Sequence, residues 1–180
     1  MTPCTAEEAI KRLVEGNKKY VSARSASIDA SVEILEAEVL EQDPYAIIIT
    51  CADSRVIPQA IFSTGIGELF VIRIAGNVVD DHCLGSIEYA NKHLGTKVAV
   101  VLGHDHCGAV DSALHHHNEG YVKCITDEIL RAIGDEKDEE KACLLNIENS
   151  CRVIREKLAG SELKVVGAMY RLENGQVEFL

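Results

Sequence analysis

The chain has 180 residues, 47% of them hydrophobic, and a net charge of −11. That length suits one domain with a substantial core, and that hydrophobic content excludes a disordered chain. The negative charge speaks against DNA, RNA or an anionic membrane as partner, because those need a basic surface, and it leaves a small uncharged substrate unhindered.

The opening, MTPCTAEEAIKRL, lacks the apolar stretch of a signal peptide. Apolar runs such as YAIIIT (45–50) are far too short to cross a bilayer. Seven cysteines in such a chain point to free thiols or metal ligands in a reducing compartment rather than to a disulfide framework. A cytoplasmic location is the expectation.

In chain order, Thr5-Ala6-Glu7-Glu8 reads as a capping box. After it Ile10, Leu13, Val14, Asn17, Tyr20 and Val21 keep helical spacing. Ser31 is placed to cap a second helix over 32–42. Residues 1–43 therefore read as an N-terminal helical arm, and 44–180 as the core of one domain. From residue 45 the period changes. YAIIIT (45–50), LFVIRI (69–74) and VAVVL (98–102) are short, apolar and rich in β-branched residues, as suits strands covered on both faces. Helices are predicted over 58–63, 81–94 with Gly95 as stop, 122–133 and 138–158. The acidic run Glu136, Asp138, Glu139, Glu140 reads as a solvated loop. A last strand, 163–171, precedes the turn signal Asn174-Gly175 and the segment Gln176–Leu180. The alternation gives an α/β fold: a mostly parallel central sheet, flanking helices and an antiparallel C-terminal hairpin.

Two motifs carry chemistry. CADSR (51–55) follows the first strand directly, and GHDHCG (103–108) follows the third. In open α/β sheets, ligands collect beyond the carboxyl ends of strands, near the point where strand order switches. Cys51, His104 and Cys107 then meet at one rim, with a helical turn placing His104 and Cys107 on one face. Two cysteines and a histidine are good zinc donors, and three protein ligands leave a position for water. Two alternatives stand beside this: a closed structural site with a fourth ligand from Cys4, Cys83, Cys124, Cys143 or Cys151, or three buried residues with no metal role. On an extended segment Asp53 and Arg55 project to the same side as Cys51. Arg55 would hold Asp53 ionised in a two-pronged pair, which a catalytic zinc can use and a structural one does not need.

CADSR and GHDHCGAV, with RIAGNVV (73–79), SIEYA (86–90) and VVGAMYRLENGQVEFL (165–180), together resemble the β-class carbonic anhydrases, from about residue 5 to the C-terminus. The resemblance implies that Cys51, His104 and Cys107 hold one Zn2+ per chain. It implies that Asp53 and Arg55 form a catalytic dyad orienting zinc-bound hydroxide for attack on carbon dioxide, with bicarbonate and a proton as products. It further implies substrate-binding roles for Gln42, Phe70, Ala75, Tyr89 and Gly108, some of them reaching in from a second copy of a homodimer or tetramer. Gln42, nine residues before Cys51, marks the plant-like type with an open fourth position. In the other type the aspartate swings in as fourth ligand, as Asp53 would here in a closed state; that type carries a tryptophan where this chain has Ile48, and this chain has no Trp.

One position departs from the family pattern. Arg73-Ile74-Ala75-Gly76-Asn77 has Ile74 where the family usually has asparagine, so a hydrogen bond that other members make there is lost and the support of this loop is in question. Two further functions stay open on the same scaffold: hydrolysis of carbonyl sulfide or carbon disulfide, or a non-catalytic zinc-binding or thiol-redox role. His115-His116-His117 reads as a solvated helix end, and His106, between the ligands, as pointing elsewhere.

Overall fold

The computed structural model describes residues 4–180 apart from 24, 26–27, 29–30 and 38. Strand β1 (Ala46–Thr50) lies inside the sheet, with all five residues buried. Parallel neighbours lie on both sides, β2 (Leu69–Arg73) and β3 (Val98–His104), and β4 (Lys164–Tyr170) continues the parallel set. Strand β5 (Val177–Phe179) closes the sheet antiparallel to β4, giving the order β2-β1-β3-β4-β5. The loop between them is tied by an Asx turn, with Asn174 Oδ1 accepting from the Gln176 N–H, and by Gly175 at φ 77°. The chain leaves β1 towards one edge and returns on the other side with β3, so the switch in strand order falls between β1 and β3.

Period-two alternation divides the core. Ile47, Ile49 and Cys51 join a cluster with α4 (Asp81–His93), α6 (Val122–Ile133) and α7 (Glu139–Lys157). Ala46 and Ile48 face a second cluster built with α1 (Ala6–Ala23) and α3 (Pro58–Ile61). Each fully buried aliphatic side chain here contributes about 1.5–3 kcal/mol.

Helix α1 starts at the predicted capping box: Thr5 N–H donates to Glu8 Oε2 at 2.9 Å, and Glu8 N–H to Thr5 Oγ1 at 3.2 Å. It is clamped to the sheet. Asn17, 6% exposed, donates from Nδ2 to the Ile61 and Gly175 carbonyls and accepts the Val177 N–H. One residue earlier, Gly16 lies against the Phe62 carbonyl, where a Cβ would come within 1.9 Å of the oxygen.

Three sequence expectations change. Helix α2 covers Val32–Ala37 rather than 32–42. Val39 and Leu40 are 73% and 92% exposed, so nothing packs to hold a longer helix, and Asp43 precedes Pro44, which favours extended backbone. Strand β3 runs on to His104, because Gly103 and His104 still pair with Met169 and Tyr170. The acidic run is loop only as far as Glu136, and its later members start α7. Asp138 caps it, accepting the Lys141 N–H, and Glu140 pairs with Arg171. The pattern acid-first, helix-after follows the helix dipole.

Candidate metal centre

The end of β1 delivers Cys51 and the end of β3 delivers His104, on adjacent strands at the switch point. Cys107 follows three residues later, as the N-cap of α5 (Gly108–Leu114). The ligand atoms of these three buried residues lie within 4.8 Å of one another, and the two Sγ atoms are 4.0 Å apart. The route differs from the predicted helical turn. His104 ends a strand, and a tight turn with His106 at φ 49° brings Cys107 round to it. That left-handed turn sends the His106 side chain outward, 3.7 Å from Glu139 and 74% exposed.

His104 Nδ1 lies 2.7 Å from the Asp105 carbonyl, an arrangement that makes Nδ1 the donor and leaves the Nε2 lone pair facing the sulfurs. Nε2 is buried and has no hydrogen-bond partner among the described residues. A buried imidazole nitrogen without a partner is costly. Burial works against a charged His104 ring, and contact with Cys51 and the Asp105 carbonyl outweighs it, so its pKa is raised. Contact with the Cys107 thiol, and with the Gly76 N–H that donates at 3.2 Å, holds the Cys51 pKa well below the ordinary thiol value. Cys107 moves up by the same contact, with burial adding to it. A divalent cation bound between them satisfies both buried sulfurs and Nε2 together. Two thiolates and a neutral imidazole fit zinc.

Cys83, Cys143 and Cys151 lie buried in the core and Cys124 is exposed. Among the described residues no fourth cysteine joins the cluster, so the closed all-protein site weighed from sequence lacks its extra ligand.

Residues 51–55 are not extended, as the spacing suggested. Asp53–Val56 is a turn, with the Arg55 N–H donating to Asp53 Oδ1 and the Val56 N–H to the Asp53 carbonyl. The turn folds Arg55 back onto Asp53: Nε to Oδ1 is 2.9 Å and Nη2 to Oδ2 is 2.7 Å. This pair holds the Asp53 carboxyl well below the usual carboxylate range. Asp53 Oδ2 stands 3.8 Å from His104 Nε2, beside the donor cluster. Arg55 Nη2 also donates to the His106 carbonyl, tying the two turns together.

Residues 46–177 match the sequence profile of the carbonic anhydrase family.

The chain belongs to the β-carbonic anhydrase family. It is 37% identical to carbonic anhydrase 2 of Mycobacterium tuberculosis, over 93% of this chain and 89% of that protein. The fold is similar to that of the tetrameric β-carbonic anhydrases of Sordaria macrospora, with TM-score 0.71, 29% identity, and 82% and 86% of the two chains covered. It is similar too to the Coccomyxa β-carbonic anhydrase solved with acetazolamide, with TM-score 0.71, 28% identity, and 95% and 86% covered.

Among the remaining family positions, Ala75 opens a short 3-10 turn (Ala75–Asn77) beside Cys51, and Gly108 begins α5 directly after Cys107. Phe70 is half-buried on β2 in register with Ile47, four residues before Cys51, so within one chain it sits by the middle of the sheet rather than at the rim. Its ring is 6.4 Å from that of Tyr89, which is 47% exposed and stands 5.2 Å from the His93 ring. Gln42 is exposed on the segment leading into β1. His115 ends α5 exposed and pairs with Asp111, as a helix-end histidine would.

Sequence reasoning missed Arg73, whose guanidinium donates to the Cys51 carbonyl (3.2 Å) and the Asp53 carbonyl (2.7 Å) and so holds the first turn from β2. Its position at the end of a predicted strand, level with the motif, was the available signal.

Proposed function

We propose that the protein catalyses the reversible hydration of carbon dioxide to bicarbonate and a proton, with one zinc held by Cys51, His104 and Cys107. The observation that carries this is the convergence of three buried donors, one of them the unpartnered His104 Nε2, beside a carboxylate already engaged by Arg55. When bound, zinc supplies Lewis acidity that makes water a nucleophile near neutral pH.

The chain's own groups do the rest. Ionised, Asp53 offers only acceptor lone pairs, so it holds a nucleophile by its hydrogen and leaves an oxygen lone pair for carbon. Arg55 keeps that carboxylate charged and fixes its direction, the kind of preorganisation that lowers a barrier. The same grip, reinforced by the Arg55 bond to the His106 carbonyl, supports the open site over one closed by Asp53. Gln42, Phe70, Ala75, Tyr89 and Gly108 line the substrate pocket in this reading. The mid-sheet position of Phe70 and the exposure of Tyr89 favour a homodimer in which they serve the neighbouring copy. We place the enzyme in the cytoplasm as a single domain with no nucleic-acid or membrane partner; no described helix is long and apolar enough to cross a membrane.

Stopped-flow hydration assays on zinc-quantified protein from about pH 6.5 to 9 test this. Activity through neutral pH is expected, and Asp53→Asn should lower it about 100-fold or more while leaving zinc content unchanged. Activity confined to the region above about pH 8 would overturn the open site. One zinc per chain with no hydration at any pH would overturn the function and leave sulfur analogues of carbon dioxide as the substrates to try.

A further inference from the structure

Cys51 Sγ receives a backbone hydrogen bond from the Gly76 N–H, and Gly76 sits in an unusual stretch of chain. Gly76 has φ 67° and Asn77 φ 46°, two successive residues in the left-handed region. Asparagine tolerates that region and glycine enters it freely, but a pair in sequence needs outside support to persist. A Cβ on Gly76 would come within 2.8 Å of Ile129 Cδ1 and 3.0 Å of Ala109 Cβ, so the turn is packed against α5 and α6 and cannot drift outward. Position 74, just before this turn, is Ile74, half-buried against the apolar core, and its side chain offers the loop no hydrogen bond.

The brace comes from α7 instead. Asn146 Nδ2 donates to the Gly76 carbonyl at 2.7 Å, and Ser150 Oγ donates to the Asn77 carbonyl at 3.0 Å. Both residues are 1% exposed, and their i, i+4 spacing puts them on one face of the helix. Two polar side chains buried on a helix otherwise packed by Ile147, Cys151 and Ile154 need such partners. Between them, Ile147 presses on Gly103, the residue before His104, where a Cβ would come within 2.5 Å. A single turn of α7 thus bears on the backbone beside two metal donors.

We propose that Asn146 and Ser150 are positioning residues for the metal centre: by fixing the Gly76–Asn77 turn they aim the Gly76 N–H at Cys51 Sγ and so set that sulfur's donor strength. This rests on Cys51 being a metal ligand. Outer partners of metal ligands change affinity roughly 10- to 100-fold when removed. A hydrogen bond to a thiolate lowers the energy of its lone pairs, so losing it moves sulfur-to-metal charge transfer to longer wavelength.

The test uses full-length protein loaded with cobalt(II), whose spectrum reports sulfur ligation. Asn146→Leu should lower cobalt affinity roughly 10- to 100-fold in chelator competition and shift the sulfur band to longer wavelength. Ser150→Ala should do the same to a smaller extent, and Ser150→Thr, which keeps the hydroxyl, should restore both. Asn17→Leu, far from the centre in α1, serves as control: it should lower the melting temperature and leave the band unmoved. Should Asn146→Leu fail to fold, the Ser150→Ala and Ser150→Thr pair decides. A folded Asn146 or Ser150 variant with the wild-type band and affinity overturns the proposal. Wild-type protein that takes up cobalt without any sulfur band overturns the ligand reading itself, and the two failures are told apart by that first spectrum.

Discussion

The two faces of the sheet each bury an asparagine in an apolar cluster, and the two asparagines have different work. On one face Asn17 joins α1 to the end of α3 and to the turn before β5. Nothing there can do chemistry, and the asparagine serves the docking of a helix. On the other face Asn146 joins α7 to a turn that touches Cys51. The helices there, α4 to α7, pack a cluster that contains both sulfur donors. A buried amide is thus a marker of where backbone must be held to a fraction of an ångström, and only what the held segment touches says whether that precision serves folding or a site.

Removing a donor from the site face is the sharpest way to separate the two. Cys51→Ser should lower zinc affinity by more than about 100-fold, beyond the range for an outer partner, with hydration activity lost and the metal-free melting temperature little changed. Metal titration and a melt of the stripped protein check both halves. Asn17→Leu is the mirror experiment. It leaves two carbonyls and one N–H buried without their partner, so stability should fall by about 3 kcal/mol, or roughly 6–12 °C in melting temperature, with metal affinity unchanged. A change in affinity there would break the division between the faces. Gly16→Ala, which forces a Cβ towards the Phe62 carbonyl, should cost about 2 kcal/mol by the same route, again with an intact metal centre.

The smallest effect concerns alkaline pH. Burial pushes the Cys143 thiol up to about 12 and the Cys151 thiol up to about 11, and both lie on the site face. Their ordinary value is about 8.5, so the unfolded chain loses these protons first and stability falls as pH rises from there towards 11. By about pH 9.5 the loss should be about 1 kcal/mol per thiol. Cys143→Ala should flatten the fall by that amount in melts between those values. An unchanged slope would mean the thiols are not what titrates.

Much of this was legible in the sequence. Apolar runs located β1, β2 and β3, and β1 and β3 are uninterrupted because a strand buried on both faces has no polar face. The metal donors and the Asp53–Arg55 pair followed from residue type and from their place just after strands. What was illegible depended on tertiary contact. The helix predicted over 32–42 stops at Ala37 because periodicity records an apolar face without recording whether anything covers it. The route from His104 to Cys107 is a left-handed turn and not a helix, since a spacing of three suits either. Asn146 and Ser150 looked like ordinary polar positions on an amphipathic helix; only the approach of the 75–77 turn gives them partners. Ile74 could be seen as a lost brace, and its replacement from α7 could not.

Cys51 and Cys107 are 56 positions apart in the chain and meet only because β1 and β3 lie side by side in parallel, with β2 and α4 folded into the excursion between them. Such pairing is non-local and among the slower events of folding. A chain that has made its helices and hairpin but not this pairing presents two separated motifs and no centre. A metal held by Cys51, His104 and Cys107 would therefore be captured by the nearly finished fold and would bridge the ends of a long excursion, so departure from the native state would begin elsewhere or wait for the ion to leave. Such an ion would act as a late clasp, and loaded protein should persist longer than stripped protein when unfolding is followed as a rate.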